Sequence, residues 1–351
     1  MKVWIKAVTL TAVICILYSC NSNQPPALTQ EEKSAAVLQE YEVTYISLKG
    51  EASDKNSELS GLAWYGDELV LLPQYPYHHK NIGAGYLFSI SKEQIYNYLN
   101  SVTKNPIEPE LIELVADGME KFNEWGSGYE AIAFCHDTVY CVLELMDFSE
   151  TDAYLVKGIM DSVKKIIILD SSTLIKIPSG INLPNLSFET IIIGNNKVIV
   201  IAESNGSNIE HKPSAVVFDK NLNYVGLLLF PNIEYRITDA TSLDENNRFW
   251  AINYFYPGEY SELDPAPDSL VIRFGVGRSH LNSPVVERLL EFSLGKNGIR
   301  KTNTPPVYLP VKPGGDGRNW EGIARFEKEG FLVVTDRFPG SLLGYVALNS
   351  R

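Results

Sequence analysis

The sequence predicts an all-β chain folded as a five-bladed β-propeller, closed by an N-terminal strand and carrying one inserted helix. Three observations predict it. One hairpin unit recurs five times along the 351 residues. Each interval between copies supplies further strand-like runs. The single strand missing from the last unit is available near the other end of the chain.

The copies are "SGLAWYGDELVLLPQ" (60–74), "EAIAFCHDTVYCVLE" (130–144), "ETIIIGNNKVIVIAE" (189–203), "DATSLDENNRFWAIN" (239–253) and "EGIARFEKEGFLVVTD" (321–336). Each joins two apolar runs rich in β-branched and aromatic residues through a polar turn. Gly66-Asp67, His136-Asp137, Asn195-Asn196, Asn246-Asn247 and Glu329-Gly330 have the chemistry of tight hairpin turns. Between copies lie Gly85–Ile90 and Pro109–Val115, Lys165–Asp170 and Ser172–Ile177, Ser214–Asp219 and Tyr224–Phe230, then Val286–Leu294 and Pro306–Val311. These make four-stranded units. The fifth hairpin is followed only by Leu342–Ala347, and Glu42–Leu48 supplies its fourth strand, which leaves the ring without an open edge. Ser91–Thr103 reads as the inserted helix, and Met146–Lys164 and Tyr254–Pro284 as long loops. A sixth blade is open if Asp268–Gly275 begins a degenerate unit.

First and last positions of the hairpins pair as Ser60/Gln74, Glu130/Glu144, Glu189/Glu203, Asp239/Asn253 and Glu321/Asp336. With a central turn such positions are expected to face one another across the ladder, where like charges destabilise. Inner strands of a propeller line its channel, so Ser60, Glu130, Glu189, Asp239 and Glu321 should converge. Close carboxylates raise each other's pKa unless a cation separates them. A hard divalent ion would do so. Calcium accepts about six to eight oxygens in flexible geometry, and magnesium, which prefers octahedral order, ranks second. With no His or Cys in the ring, softer metals are disfavoured. Gln74, Glu144, Glu203, Asn253 and Asp336 would then hold the ligands by hydrogen bonds.

The openings "NWEGIA" and "GYEAIAF", with "SGLAW" as a weaker copy, resemble the Glu-Gly-Leu-Ala blade starts of the esterase-like phytase propellers and, more distantly, of gluconolactonase-type propellers. The ring order is similar to the channel site of five-bladed calcium-activated nucleotidases (apyrases). Both resemblances span most of residues 41–349 and imply a propeller with a channel calcium. The nucleotidases carry an acidic-acidic-Arg segment after the first inner hairpin. This chain has Gln74-Tyr75-Pro76-Tyr77 there, which weighs against nucleotide hydrolysis.

Loops on the acid-bearing face carry His78 and His79, Phe148, Arg236, Tyr254, Asp316, Arg318 and Arg337 among others. Arg318 and Arg337 flank the Glu321/Asp336 hairpin and are the candidate anion grip, with His78 and Tyr254 as further substrate contacts. The chain contains no Gly-x-Ser-x-Gly elbow and no His-Glu-x-x-His helix. "PGGDGRNWEG" is Gly-rich but opens a strand, so it lacks the helix dipole of a phosphate loop.

A formal charge of −13 excludes nucleic acid as an expected partner. Lys2 and Lys6 precede a short apolar stretch ending in Leu17-Tyr18-Ser19-Cys20, which resembles a bacterial lipobox. The expected organisation is a lipoprotein signal peptide over 1–20, a polar tether over 21–40 and the propeller over 41–349. Lipidation at Cys20 would anchor the protein to a bilayer in the bacterial envelope, on the periplasmic side of the outer membrane. Cys135 and Cys141 lie in one hairpin, where export would permit a disulfide. Two functions fit this reading. One is a metal-dependent hydrolase of an ester or phosphoester, acting on a small anionic or sugar-like ligand. The other is a binding scaffold for a ligand or an envelope protein, with a structural calcium.

Overall fold

The computed structural model describes residues 35–78, 85–124, 126–147, 150–178, 187–312, 314 and 317–348. Cys20, the signal segment, residues 21–34 of the tether, His79, Phe148 and Asp316 lie outside them. Among the described residues no helix is long and apolar enough to cross a membrane.

Five blades surround a channel. From the inside outward, blade 1 is Leu59–Tyr65, Glu68–Pro73, Gly85–Ser91 and Glu110–Val115. Blade 2 is Gly128–Cys135, Thr138–Asp147, Glu150–Asp161 and Ile166–Leu169. Blade 3 is Phe188–Gly194, Lys197–Ala202, Ser214–Asp219 and Tyr224–Leu229. Blade 4 is Arg236–Ala240, Arg248–Phe255, Val286–Gly295 and Gly298–Lys301. Blade 5 is Trp320–Phe326, Gly330–Thr335 and Leu343–Ala347, completed by Val43–Ile46 from the N-terminal side. That strand pairs antiparallel with the third, Val43 opposite Val346 and Ile46 opposite Leu343, as the missing-strand argument requires.

The hairpin turns are held by residues in the left-handed region: Gly66, His136, Asn195, Asn196, Asn247 and Glu327. Buried side chains fall into clusters between neighbouring blades. Leu72, Ile132 and Val139 join blades 1 and 2; Val142, Ile191 and Val198 join blades 2 and 3. Ile201, Ile237 and Phe249 join blades 3 and 4, Trp250 and Phe331 join 4 and 5, and Phe326 and Leu69 join 5 and 1. Every interface therefore has its own apolar seam, and each seam lost would open the ring.

Three details depart from expectation. Most of 146–164 is strand rather than loop: Glu150–Asp161 is the third strand of blade 2, paired along Thr138–Asp147. Ile166–Leu169 then pairs in parallel with blade 1, Ile167 opposite Leu114, fusing two blades into one sheet. Asp268–Gly275 starts no sixth blade, because Ser269–Phe274 is a short helix capped by Asp268. With Tyr260–Leu263 it brings helical turns beyond the expected insertion, which runs Lys92–Asn100 from a capping box of Ser91 and Gln94. Cys135 and Cys141 are both free thiols, Cys141 buried.

Candidate active site

Each blade's inner strand opens on a β-bulge, and the extra residue is the expected ring residue. The ladder steps from Leu59 to Gly61 past Ser60, from Tyr129 to Ala131 past Glu130, and from Phe188 to Thr190 past Glu189. It steps from Ile237 to Ala240 past Thr238 and Asp239, and from Trp320 to Gly322 past Glu321. A bulge re-aims one side chain without breaking the strand. Small residues follow the bulge because the strands crowd at the axis: a Cβ on Gly322 would lie 3.0 Å from the Gly61 carbonyl carbon.

The bulges shift the register, so the expected facing pairs do not face. Glu144 lies opposite Gly128, and Asn253 opposite Ile237. Gln74, Glu203 and Asp336 donate their backbone N–H to Glu58, Ser187 and Asn319 respectively. The polar contacts run instead between blades. Gln74 of blade 1 donates to Glu130 of blade 2 at 3.0 Å, and Ser187 of blade 3 donates to Glu144 of blade 2 at 2.5 Å.

At the centre is Arg236. Its Nε donates to Glu203, and its Nη2 contacts Glu189 Oε1 at 3.3 Å and Glu321 Oε1 at 3.2 Å. Nη1 reaches Glu259 and Asn319, each at 3.3 Å. One guanidinium fork thus ties blades 3, 4 and 5, a task its five donors and planar geometry allow. Asn253 fixes its backbone, donating to the carbonyls of Glu234 and Arg236 at 3.0 Å. Tyr235, the preceding residue, sits in the left-handed region at φ 74°. A non-glycine residue there carries strain of about 1–3 kcal/mol, placed next to the central cation.

Around this centre opens a cavity of about 620 Å³. Its walls include Glu58, Ser60, Gln74, Glu130, Glu144, Glu189, Glu259, Asn319, Glu321, Asp336, Arg236 and Arg337, with Tyr75, Tyr254, Tyr256 and Phe338 as aromatic surfaces. Four of the five ring residues therefore meet in one place. Asp239 does not line it: its carboxylate accepts the N–H groups of Ile323 at 2.8 Å and Ala240 at 2.7 Å. Glu203 lies behind Arg236, and Asn253 also accepts from Arg288 at 2.8 Å. Arg318 is not an anion grip. Buried against Trp320, it donates to Glu287 and to the Tyr45 hydroxyl. His78 contacts the Asn123 carbonyl and stacks on Tyr75, outside the cavity. Arg337 and Tyr254 do line it, Arg337 lying 3.8 Å from Glu58.

Burial governs the charges. Desolvation, then repulsion from Glu144, pushes Glu130 up to about 8. Glu321 is also pushed to about 8 by burial, against the pull of Arg236 and with repulsion from Asp336. Glu189 is driven well above the carboxylate range by burial and Glu321. Burial likewise raises Glu58, Glu144 and Asp336. Arg236 stays charged, since Glu321 and Glu189 outweigh the burial that opposes it.

These residues, so arranged, do not fit the expected calcium or magnesium cage. Asp239 is committed to backbone N–H groups, the Ser60 hydroxyl donates to the Tyr129 carbonyl at 2.6 Å, and Glu189 and Glu321 share a guanidinium. Among the described residues no group of three or more His, Cys, Asp or Glu side chains is placed to hold a metal ion. A chelator should accordingly leave the melting temperature unchanged; a fall on adding EDTA, reversed by calcium, would restore the cage.

No family model and no curated protein matches this chain. Among solved structures it is similar to an exo-1,5-α-L-arabinanase from a bovine ruminal metagenomic library, at 9% identity and TM-score 0.47, over 87% of this chain and 97% of that one. The catalytic domain of an α-L-arabinofuranosidase from Coprinopsis cinerea matches at 6% identity and TM-score 0.48, over 89% and 98%. A chain of a mitotic checkpoint complex matches at 8% identity and TM-score 0.35, over 99% and 100%. Likeness at this level assigns no activity to the chain.

Proposed function

We propose that the channel cavity is the active site of a hydrolase that cleaves a glycosidic bond by carboxylate acid–base chemistry. The observation that carries this reading is the unequal setting of its carboxyls. Glu130 has a neutral amide, Gln74, as its hydrogen-bond partner and a raised pKa, so it holds a proton at neutral pH and serves as general acid. Glu321 and Glu189 are raised by burial too, but they lie against Arg236, which draws the first negative charge onto the pair as pH rises towards 8 and suits it to the role of base. Their two oxygens lie within about 6.5 Å of each other, the sum of their contacts to Nη2. Buried carboxyls with unlike partners, one a neutral amide and the others a guanidinium, are the equipment of glycoside hydrolysis. Tyr75, Tyr254 and Phe338 offer flat apolar surfaces for a sugar ring.

Charge decides against the anionic esters and phosphoesters expected from the sequence. Among the described residues seven acids and two arginines line the cavity, so even with some of the acids protonated a phosphate would find more carboxyls than cations around it. The reading is tested with a panel of 4-nitrophenyl glycosides beside aryl esters and phosphoesters. Glycoside turnover is expected, and Glu130→Gln and Glu321→Gln should each lower kcat roughly 10²–10⁴-fold. Turnover of esters alone would replace the reading, and none on any substrate would favour a binding module.

A further inference from the structure

We propose that the cavity recognises its substrate through a protonated primary amine, seated among Glu189, Glu144 and Glu58, so that the ligand is an amino-sugar saccharide. This deepens the hydrolase reading and rests on it for the saccharide, while the amine site stands on its own observations. The first is charge. Among the described residues Arg236 and Arg337 are the cavity's cations, and Arg236 is already shared among Glu203, Glu189, Glu259 and Glu321. Glu144 gives one oxygen to a neutral donor, Ser187, a contact that brings no positive charge.

The second is an acceptor without a donor. Glu189 is only 8% exposed and lines the cavity. Its Oε1 faces Arg236, yet its Oε2 is buried with no hydrogen-bond partner among the described residues. Leaving such a group unmet costs about 1–3 kcal/mol, which a ligand N–H would recover. An ammonium brings three donors and a full charge. The same oxygens serve a bare metal ion poorly. Such an ion needs six to eight oxygens at about 2.3–2.6 Å, whereas these acids line a wide cavity and one oxygen of Glu189 is held by Arg236. The aromatic walls suit an organic cation, as Arg236 itself lies 5.8 Å over the Tyr254 ring.

Calorimetry on the whole protein at neutral pH tests this with D-glucosamine and D-galactosamine, each beside its N-acetyl counterpart. At least one free amine should bind about ten-fold or more tighter than its acetylated partner, and the preference should shrink with added salt. Glu189→Gln should abolish the preference, and Glu58→Gln, which leaves the Arg236 contacts untouched, should reduce it if the first variant proves unstable. Equal affinity within each pair, or no binding by any of the four in the millimolar range, overturns the amine site. Because binding is read without turnover, a protein that prefers amines but hydrolyses nothing would sink the hydrolase reading alone.

Discussion

Arg236→Met should destabilise the protein by about 3–5 kcal/mol at pH 8, where Glu321 ionises, the usual cost of stripping one partner from a buried ion pair. The size follows from where the guanidinium sits. It contacts Glu203, Glu189, Glu321 and Glu259, and the first three are buried. Without it, those carboxylates face each other across three blades in a medium of low dielectric. Arg236→Lys keeps the charge but not the fork: one ammonium cannot reach blades 3 and 5 together, so an intermediate loss is expected. Urea unfolding of the three proteins measures both effects. A loss below about 1 kcal/mol for Arg236→Met at pH 8 would mean that the surrounding carboxyls are protonated even there and need no counter-charge. The same variant should suffer less at pH 5 than at pH 8, because acid can do by protonation what the guanidinium does by charge.

The blades are legible in the sequence because each hairpin states its own period and turn: an alternating apolar run, a left-handed residue such as Asn195 or Gly66, and a second run. The closing strand follows by elimination, since an unpaired edge is costly. Glu150–Asp161 hides because its "ETDAYLVKGIMD" mixes acids, a lysine and a glycine into a strand whose exposed positions need no apolar residue. The ring residues are legible as a set, but the reason they converge is not. A β-bulge at Glu130 or Glu321 leaves no mark in composition, and it moves the facing partner two residues upstream, from Ser60 to Glu58 for Gln74. Arg236 is visible only as one basic residue near the mouth. Its central place depends on how blade 4 enters through Tyr235 and on the carboxylates of two other blades, which is tertiary information. An excess of acids predicts a counter-cation; nothing in the spacing says whether that cation is a metal or a side chain.

Stability should fall as pH rises from 5 to 8. Glu130 and Glu321 ionise in the unfolded chain near the ordinary glutamate value of 4.5, but only at about 8 when folded. Between those values the folded state holds protons that the unfolded state has released. The contribution is therefore full below the unfolded pKa and is lost as pH rises through the folded one. One proton difference is worth about 1.4 kcal/mol per pH unit, so even strongly interacting carboxyls give a loss on the order of 5 kcal/mol across the window. Glu144 and Glu189, raised in the same direction by burial, add to it. His280 opposes on the acid side. Buried, with Glu40 and Ser279 at its Nδ1, it is depressed to about 4 when folded, so its contribution is lost as pH falls from about 6.5 towards 4. The two trends overlap between about pH 4.5 and 6.5, where several carboxyls outweigh one imidazole, so these groups place the optimum near pH 4.5 to 5. Urea midpoints across this range should show the alkaline decline, and Glu130→Gln combined with Glu321→Gln should flatten it while leaving the acid limb in place. His280→Asn should do the reverse. Should stability hold level or climb between pH 5 and pH 8, the channel carboxyls would have to be ionised throughout, with a counter-cation beyond Arg236 neutralising them.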